Sequence, residues 1–467
     1  MITLTAGLTL AATATATCGK FDLKTRTEVL EPCPAPILGP GGQAVEDSLS
    51  FVHQPLQGDG TITVRVTSMT GRIKQPPPPG TGAGPPPVPG LVPWAKAGLM
   101  IKDGINQGSP YAAIMVTAEH GVRMQHNFTE DTAGSSTNGY PRWLRLTRTG
   151  DTLTGSESGD GKQWTEVGKA SLDGLPDTVQ IGLFAASPGA ITNGASGPES
   201  RFAEATATFD QLTPQTGPWK FDDIGVEMEL DGVTPHHPGA FTRSGDTFTV
   251  TGVGDVAPST NGQPIERMLI GGFAALLLII AVATTFATTT RPHRYGTTLT
   301  AKATVIGTAS FAAGLIPAAV VIPTCLAILP SKGVHPHPAA WPTYLQLIVG
   351  TGLLFAAVAI LSVAIGTLLK RTIPAVTATT TLIFAPYLLA LAGIGEWLLA
   401  VTPAAGFAIQ QSVREYAQVE GLYSPATGYF PLPPWAGLAI LCAYAALALW
   451  SATKLPRRQP PALSMVQ

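Results

Sequence analysis

MLIGGFAALLLIIAVATTFAT, residues 268–288, is an uncharged apolar run of twenty-one residues. Eighteen such residues already suffice to cross about 30 Å of hydrocarbon as a helix. Lipid offers the backbone no hydrogen-bond partner, so a helix, which satisfies its own, is the form such a run takes. Four similar runs follow at about 303–329, 344–369, 374–399 and 435–453. Very apolar core helices of a soluble protein are the alternative, but five of them within 200 residues leave no polar faces to meet water. The sequence therefore predicts an α-helical, polytopic membrane domain over 267–453.

Charge divides the chain at the same place. Residues 268–467 hold ten Lys/Arg and three Asp/Glu, whereas the residues before them hold eighteen and twenty-seven. If the spans alternate, Arg291, Arg294, Lys302, Lys370, Arg371, Lys454, Arg457 and Arg458 all share one side. Only Lys332 and Arg414 fall on the other. Basic short loops mark the cytoplasm. The loop 289–302, the turn 370–373 and the tail 454–467 are accordingly expected inside, and residues 18–266 outside the cell membrane. The first seventeen residues, MITLTAGLTLAATATAT, carry no charge and six threonines. They read as a sixth, short span, or as a secretory signal without a basic n-region, in which Ala14-Thr15-Ala16 fits a cleavage site.

Residues 18–212 follow another rhythm. TITVRVT (61–67), AAIMVT (112–117), WLRLT (143–147) and VQIGLF (179–184) alternate apolar and polar residues between Gly, Asp, Asn and Pro. Period two means half-buried antiparallel strands, and Asp160-Gly161 suits a hairpin turn that needs positive φ. About ten such strands predict an all-β sandwich over 43–212, after a lead-in at 18–42 and before a linker region at 213–266. The Pro-rich stretch 75–93 can form neither helix nor paired strand, and reads as an exposed polyproline-like loop. Cys18 and Cys33 lie in the outer part, where an oxidising exterior favours a disulfide. Cys325 and Cys442 fall within spans and read as small apolar residues.

Several motifs are missing from the sequence. It has no Gly-x-x-x-x-Gly-Lys-Ser/Thr nucleotide loop, no Gly-x-Ser-x-Gly elbow and no His-Glu-x-x-His zinc motif. Nor has it a basic, aromatic-interleaved patch for nucleic acid. His335-Pro-His337 and His236-His237 lack companions at ligand spacing, so no metal or other cofactor is expected. Glu119, Glu130, Asp131, Glu157 and Asp160 include candidates for a glycosidase carboxylate pair, although acids in the turns of a net-negative surface are commonplace. Glu396, at the outer end of its expected span beside Trp397, reads as an interfacial anchor.

Two stretches carry resemblances. WAKAGLMIKDG (94–104), PRWLRLTRTG (141–150), SGDGKQWT (158–165) and VQIGLFAAS (179–187) resemble bacterial concanavalin-A-like, laminin-G-like sandwiches of jelly-roll type. AKATVIG (301–307), VTPAAGFAIQQ (401–411) and GYFPLPPWAG (428–437) resemble the permease subunit of a type 2 ATP-binding-cassette exporter from an actinobacterium. That resemblance implies six spans, an outer insertion between the first two, a second permease half and a separate cytoplasmic ATP-binding subunit. The chain itself would perform no chemistry. Arg291, His293, Arg294 and Lys302 sit where the resemblance places the ATPase-coupling contacts, in a loop that here is short and has no acid. A membrane-anchored glycan- or protein-binding receptor is the alternative function.

Overall fold

The computed structural model describes residues 1–22, 27–75, 85–136, 139–194, 197–214, 217–228, 235–259, 263–289, 295–419 and 425–454. The chain forms two compact units: a β unit of residues 17–262 with a later segment beginning at Tyr416, and a helical unit made of the remainder.

The β unit is a sandwich of two antiparallel sheets. One sheet runs, in spatial order, Glu130–Ala133, Val122–His126, Tyr111–Thr117, Lys96–Lys102, Thr178–Ala186, Leu49–Gln57 and Lys220–Ile224. The other runs Thr165–Ser171, Thr152–Ser158, Arg142–Thr149, Gly60–Ile73, Ala203–Thr213, Thr247–Gly252 and Ala240–Ser244, with Val88–Pro89 pairing at the end of its long central strand. Between them lies one apolar core including Ile62, Val64, Leu99, Ile114, Leu146, Leu183, Phe209 and Phe248. The sandwich continues to Gly252, so the stretch expected as a linker supplies three of its strands.

The two sheets obey different sequence rules. In the second, Ile62, Val64 and Val66 face the core while Thr63 and Arg65 between them stay partly exposed, as period two requires. In the first, every residue of Lys96–Lys102 and of Tyr111–Thr117 is buried. Its outer face is covered by a second apolar layer, including Val45, Phe51, Met100, Tyr111, Met115, Phe128, Phe184 and Val256. Part of that cover is a two-stranded ribbon, Val45–Asp47 against Val256–Pro258. Ion pairs fix it at both ends of one strand: Lys96 Nζ lies 2.6 Å from Asp255 and Lys102 Nζ 2.6 Å from Asp47, all four side chains essentially inaccessible. Gln418, from the far end of the chain, joins the same unit and donates to the carbonyls of Phe128 and Thr129.

The helical unit contains α1 (Ile2–Thr13), α2 (Gly272–Thr289), α3 (Tyr295–Ile328), α4 (Trp341–Leu369), α5 (Thr372–Leu391), the single turn α6 (Leu398–Val401) and α7 (Pro434–Thr453). Among the described residues α2, α3, α4, α5 and α7 are long and apolar enough to cross a membrane. With five such helices the chain has the make-up of a multi-pass membrane protein carrying a β domain. α4 is the most enclosed of the five, with α2, α3, α5 and α7 around it. α1 spans only twelve residues, about 18 Å at 1.5 Å per residue. Gly7 packs on Val321 of α3, and Lys332 Nζ donates to the carbonyls of Ala11 and Ala12. A cation there meets the negative end of the α1 dipole.

Two expected boundaries move. α3 begins at Tyr295, so half of the expected 289–302 loop is helix. α5 stops at Leu391, eight residues before the end of the 374–399 run, because Gly393 and Gly395 adopt positive φ, which breaks a right-handed helix.

Candidate functional site at one end of the helical bundle

After α5 the chain turns back into the bundle. Within the segment Pro403–Gln410, a 3-10 helix, residues 403–409 are all buried. Phe407 meets the rings of Phe273 at the start of α2 and of Phe384 and Tyr387 in α5, with centroids 5.1–6.0 Å apart. A Cβ on Gly437 would lie 2.2 Å from Ala405 O, so glycine is what lets α7 approach the segment backbone. Gly406 packs on Leu441, two turns into α7, which puts the segment about 10 Å inside the bundle end.

The last carbonyls of a 3-10 helix have no partner within it, and at such depth they need others. The Gln346 amide of α4 donates to Ile409 O at 3.3 Å and Gln411 O at 3.1 Å. The Gln410 amide donates to Thr351 Oγ1 at 3.1 Å. Side-chain amides thus hold a re-entrant, non-spanning segment in place.

Where the segment leaves the bundle it meets a buried acid. Ser412 Oγ accepts the Ile265 N–H at 2.9 Å and donates to Glu266 Oε2 at 2.5 Å. Glu266 Oε1 is buried and has no hydrogen-bond partner among the described residues. Its neighbour is the backbone of Gly428, where an added Cβ would lie 2.4 Å from it. Burial pushes the Glu266 carboxyl up to about 7, outweighing the Ser412 hydrogen bond and the adjacent Arg267 charge. Glu266 lies just ahead of the uncharged run, where sequence reading marks only a boundary. The turn-forming Gly393 and Gly395 were the available signal for the re-entrant segment.

The residues singled out from sequence are scattered. Arg291, His293 and Arg294 lie outside the described residues. Lys302 lies on α3 rather than in a loop, its Nζ 5.8 Å from the Phe286 ring. Glu396 and Trp397 stand in the turn between α5 and α6, not within a span, with Trp397 66% exposed. Cys18 and Cys33 form a disulfide at the hairpin Thr17–Asp22/Thr27–Pro32. Cys325 is buried and Cys442 exposed. No group of three His, Cys, Asp or Glu able to hold a metal occurs among the described residues. The His236 and His237 rings lie 4.3 Å apart and pack on Phe202, while the backbones of His335 and His337 pair with Gln263.

Of the five candidate carboxylates, Glu157 and Asp160 share a cleft of about 680 Å³ with Ser135, Arg142, Gln163 and Glu166. Both are held by donors. Glu157 accepts the Ser135 N–H and hydroxyl, each at 2.6 Å, and pairs with Arg142 at 3.4 Å. The Gln163 and Lys162 N–H groups and the Ser158 hydroxyl hold Asp160 below the usual carboxylate range. A carboxylate so stabilised is a poor general acid. Asp131 is tied to Arg123 and Gln125, while Glu119 and Glu130 line neither this cleft nor that ion pair.

No family model and no curated protein matches this chain. Among solved structures, a functionally unknown protein from Saccharomyces cerevisiae is 18% identical, with 41% of this chain and 84% of that one covered at a TM-score of 0.24. The GH43 protein BlXynB from Bacillus licheniformis is 16% identical, with 33% of this chain and 26% of that one covered at a TM-score of 0.17.

Proposed function

We propose that this chain is the permease subunit of an ATP-binding-cassette exporter, without a nucleotide site of its own and driven by a separate cytoplasmic ATPase. The re-entrant segment Pro403–Gln410 is the observation that supports this reading most. An anchor needs one helix, and a short segment that does not span is tolerated at membrane depth only inside protein or beside a water-filled path. Four spans around an enclosed α4, with such a segment packed among them, suit a transport path better than an anchor.

In this reading the β unit is extracytoplasmic, since the expected inside loops carry the basic residues. It acts as a binding or spacer domain of concanavalin-A-like type. A second permease half completes the path, and the charge-poor helices favour an amphipathic or lipid-like cargo. The cytoplasmic ends of α2 and α3, with Lys302 and the 290–294 connection, receive the ATPase. Extraction of the tagged chain in mild detergent, followed by mass spectrometry, tests the assignment. Stoichiometric recovery of a Walker-motif ATPase is expected. Recovery without one, together with a retained glycan or surface protein, would refute it and favour the membrane-anchored receptor.

A further inference from the structure

Glu266 has a role that neither transport nor anchoring requires. It stands where three separate parts of the helical unit converge: the entry to α2, the exit of the re-entrant segment at Ser412, and Gly428 ahead of α7. One carboxylate oxygen takes the Ser412 hydroxyl hydrogen, and the other has no donor among the described residues. Ser412 in turn holds the Ile265 N–H, so this one hydroxyl closes a small network between segments far apart in sequence. Arg267, next to it, is the charge that acts on Glu266, and both of these charges are felt by Tyr387 of α5. An ionised carboxylate with a bare oxygen in such a place is costly, whereas a neutral carboxyl is not.

We propose that Glu266 is a proton-binding site whose neutral form latches the re-entrant segment to the entry of α2. A proton from the compartment at that end of the bundle adds to the free carboxylate oxygen, and its loss gives the anion back. The neutral acid keeps the Ser412 bond and remains buried. The anion draws in water or swings outward, which releases Ser412 and with it the end of the Pro403–Gln410 segment. The latch is therefore closed at acidic pH and weakens as pH rises from the ordinary carboxylate range to about 7. This inference does not depend on the exporter reading.

Hydrogen exchange read by mass spectrometry tests it on the full chain in lipid nanodiscs. The peptide covering residues 403–414 is followed from pH 5.5 to 8.5, with intrinsic exchange rates divided out. Opening is expected to quicken about tenfold per pH unit below the midpoint, the slope of a single proton, and to level off above it. Glu266→Gln, a permanently neutral mimic, should stay protected throughout. A flat profile in the native chain, or a step that persists in Glu266→Gln, would overturn the proposal. If that variant does not fold, Ser412→Ala decides. Without its hydroxyl the latch has nothing to hold, so residues 403–414 should exchange fast at pH 5.5 as well as at 8.5, and a pH step that persists in this variant refutes the latch.

Discussion

Replacing Lys102 with Met tests the most demanding feature of the β unit. Lys102 Nζ donates to Asp47 Oδ2 at 2.6 Å and to Ser109 O at 3.2 Å, with neither charged side chain accessible to solvent. After the substitution Asp47 Oδ2 keeps only the Gly108 N–H at 2.7 Å, and Oδ1 has no partner already. Breaking a buried pair from one side costs about 3–5 kcal/mol, because a charge is left in low dielectric with nothing to neutralise it. In a unit of this size that corresponds to a fall of roughly 10 °C in melting temperature. The double variant Lys102→Met with Asp47→Leu should lose less than the single one. It removes the stranded charge and leaves only the Gly108 N–H and Ser109 O unmatched, about 1–3 kcal/mol. Pulse proteolysis of the full chain, following the β-unit fragment against temperature, measures both. The reasoning fails if the single variant costs under about 1 kcal/mol, or if the double variant is the weaker of the two.

Two more substitutions probe the fold elsewhere. Gly437→Val places a side chain where Cβ alone would lie 2.2 Å from Ala405 O. Overpacking of this kind costs about 1–3 kcal/mol, so a lower melting temperature and faster exchange of residues 403–410 are expected, with exchange in the β unit unchanged. Cys18→Ser with Cys33→Ser opens a loop of fifteen residues, which the chain-entropy account values at about 3 kcal/mol. Because an isolated two-stranded hairpin is marginal in water, proteolysis should begin at residues 17–32 while the sandwich core melts where it did.

Legibility in the sequence followed what each segment touches. TITVRVT at 61–67 could be read because one of its faces stays wet, so apolar and polar residues alternate. KAGLMIK at 96–102 could not, because both of its faces are covered and its two lysines look like surface residues. They are buried only because Asp47 and Asp255 arrive from the two strands of one ribbon, a pairing of residues 45–47 with 256–258. No local window contains that partnership. The end of α5 was missed for a different reason. Hydropathy averaged over 374–399 is blind to φ, and Gly393 and Gly395 count there as neutral residues rather than as a break.

Glu266 combines both difficulties. A charge just before an apolar run reads as the point where a helix meets water. What makes it buried is Ser412, 146 residues later, and the backbone of Gly428 beyond that. A glycine is needed at 428 because the backbone there takes a φ of +87°, and its missing Cβ leaves room for the carboxylate. A hydroxyl is needed at 412 because one oxygen must both accept an N–H and donate to the acid. Gly and Ser in a polar connection ordinarily mean a turn. They acquire a second meaning only when the fold has brought a carboxylate to them.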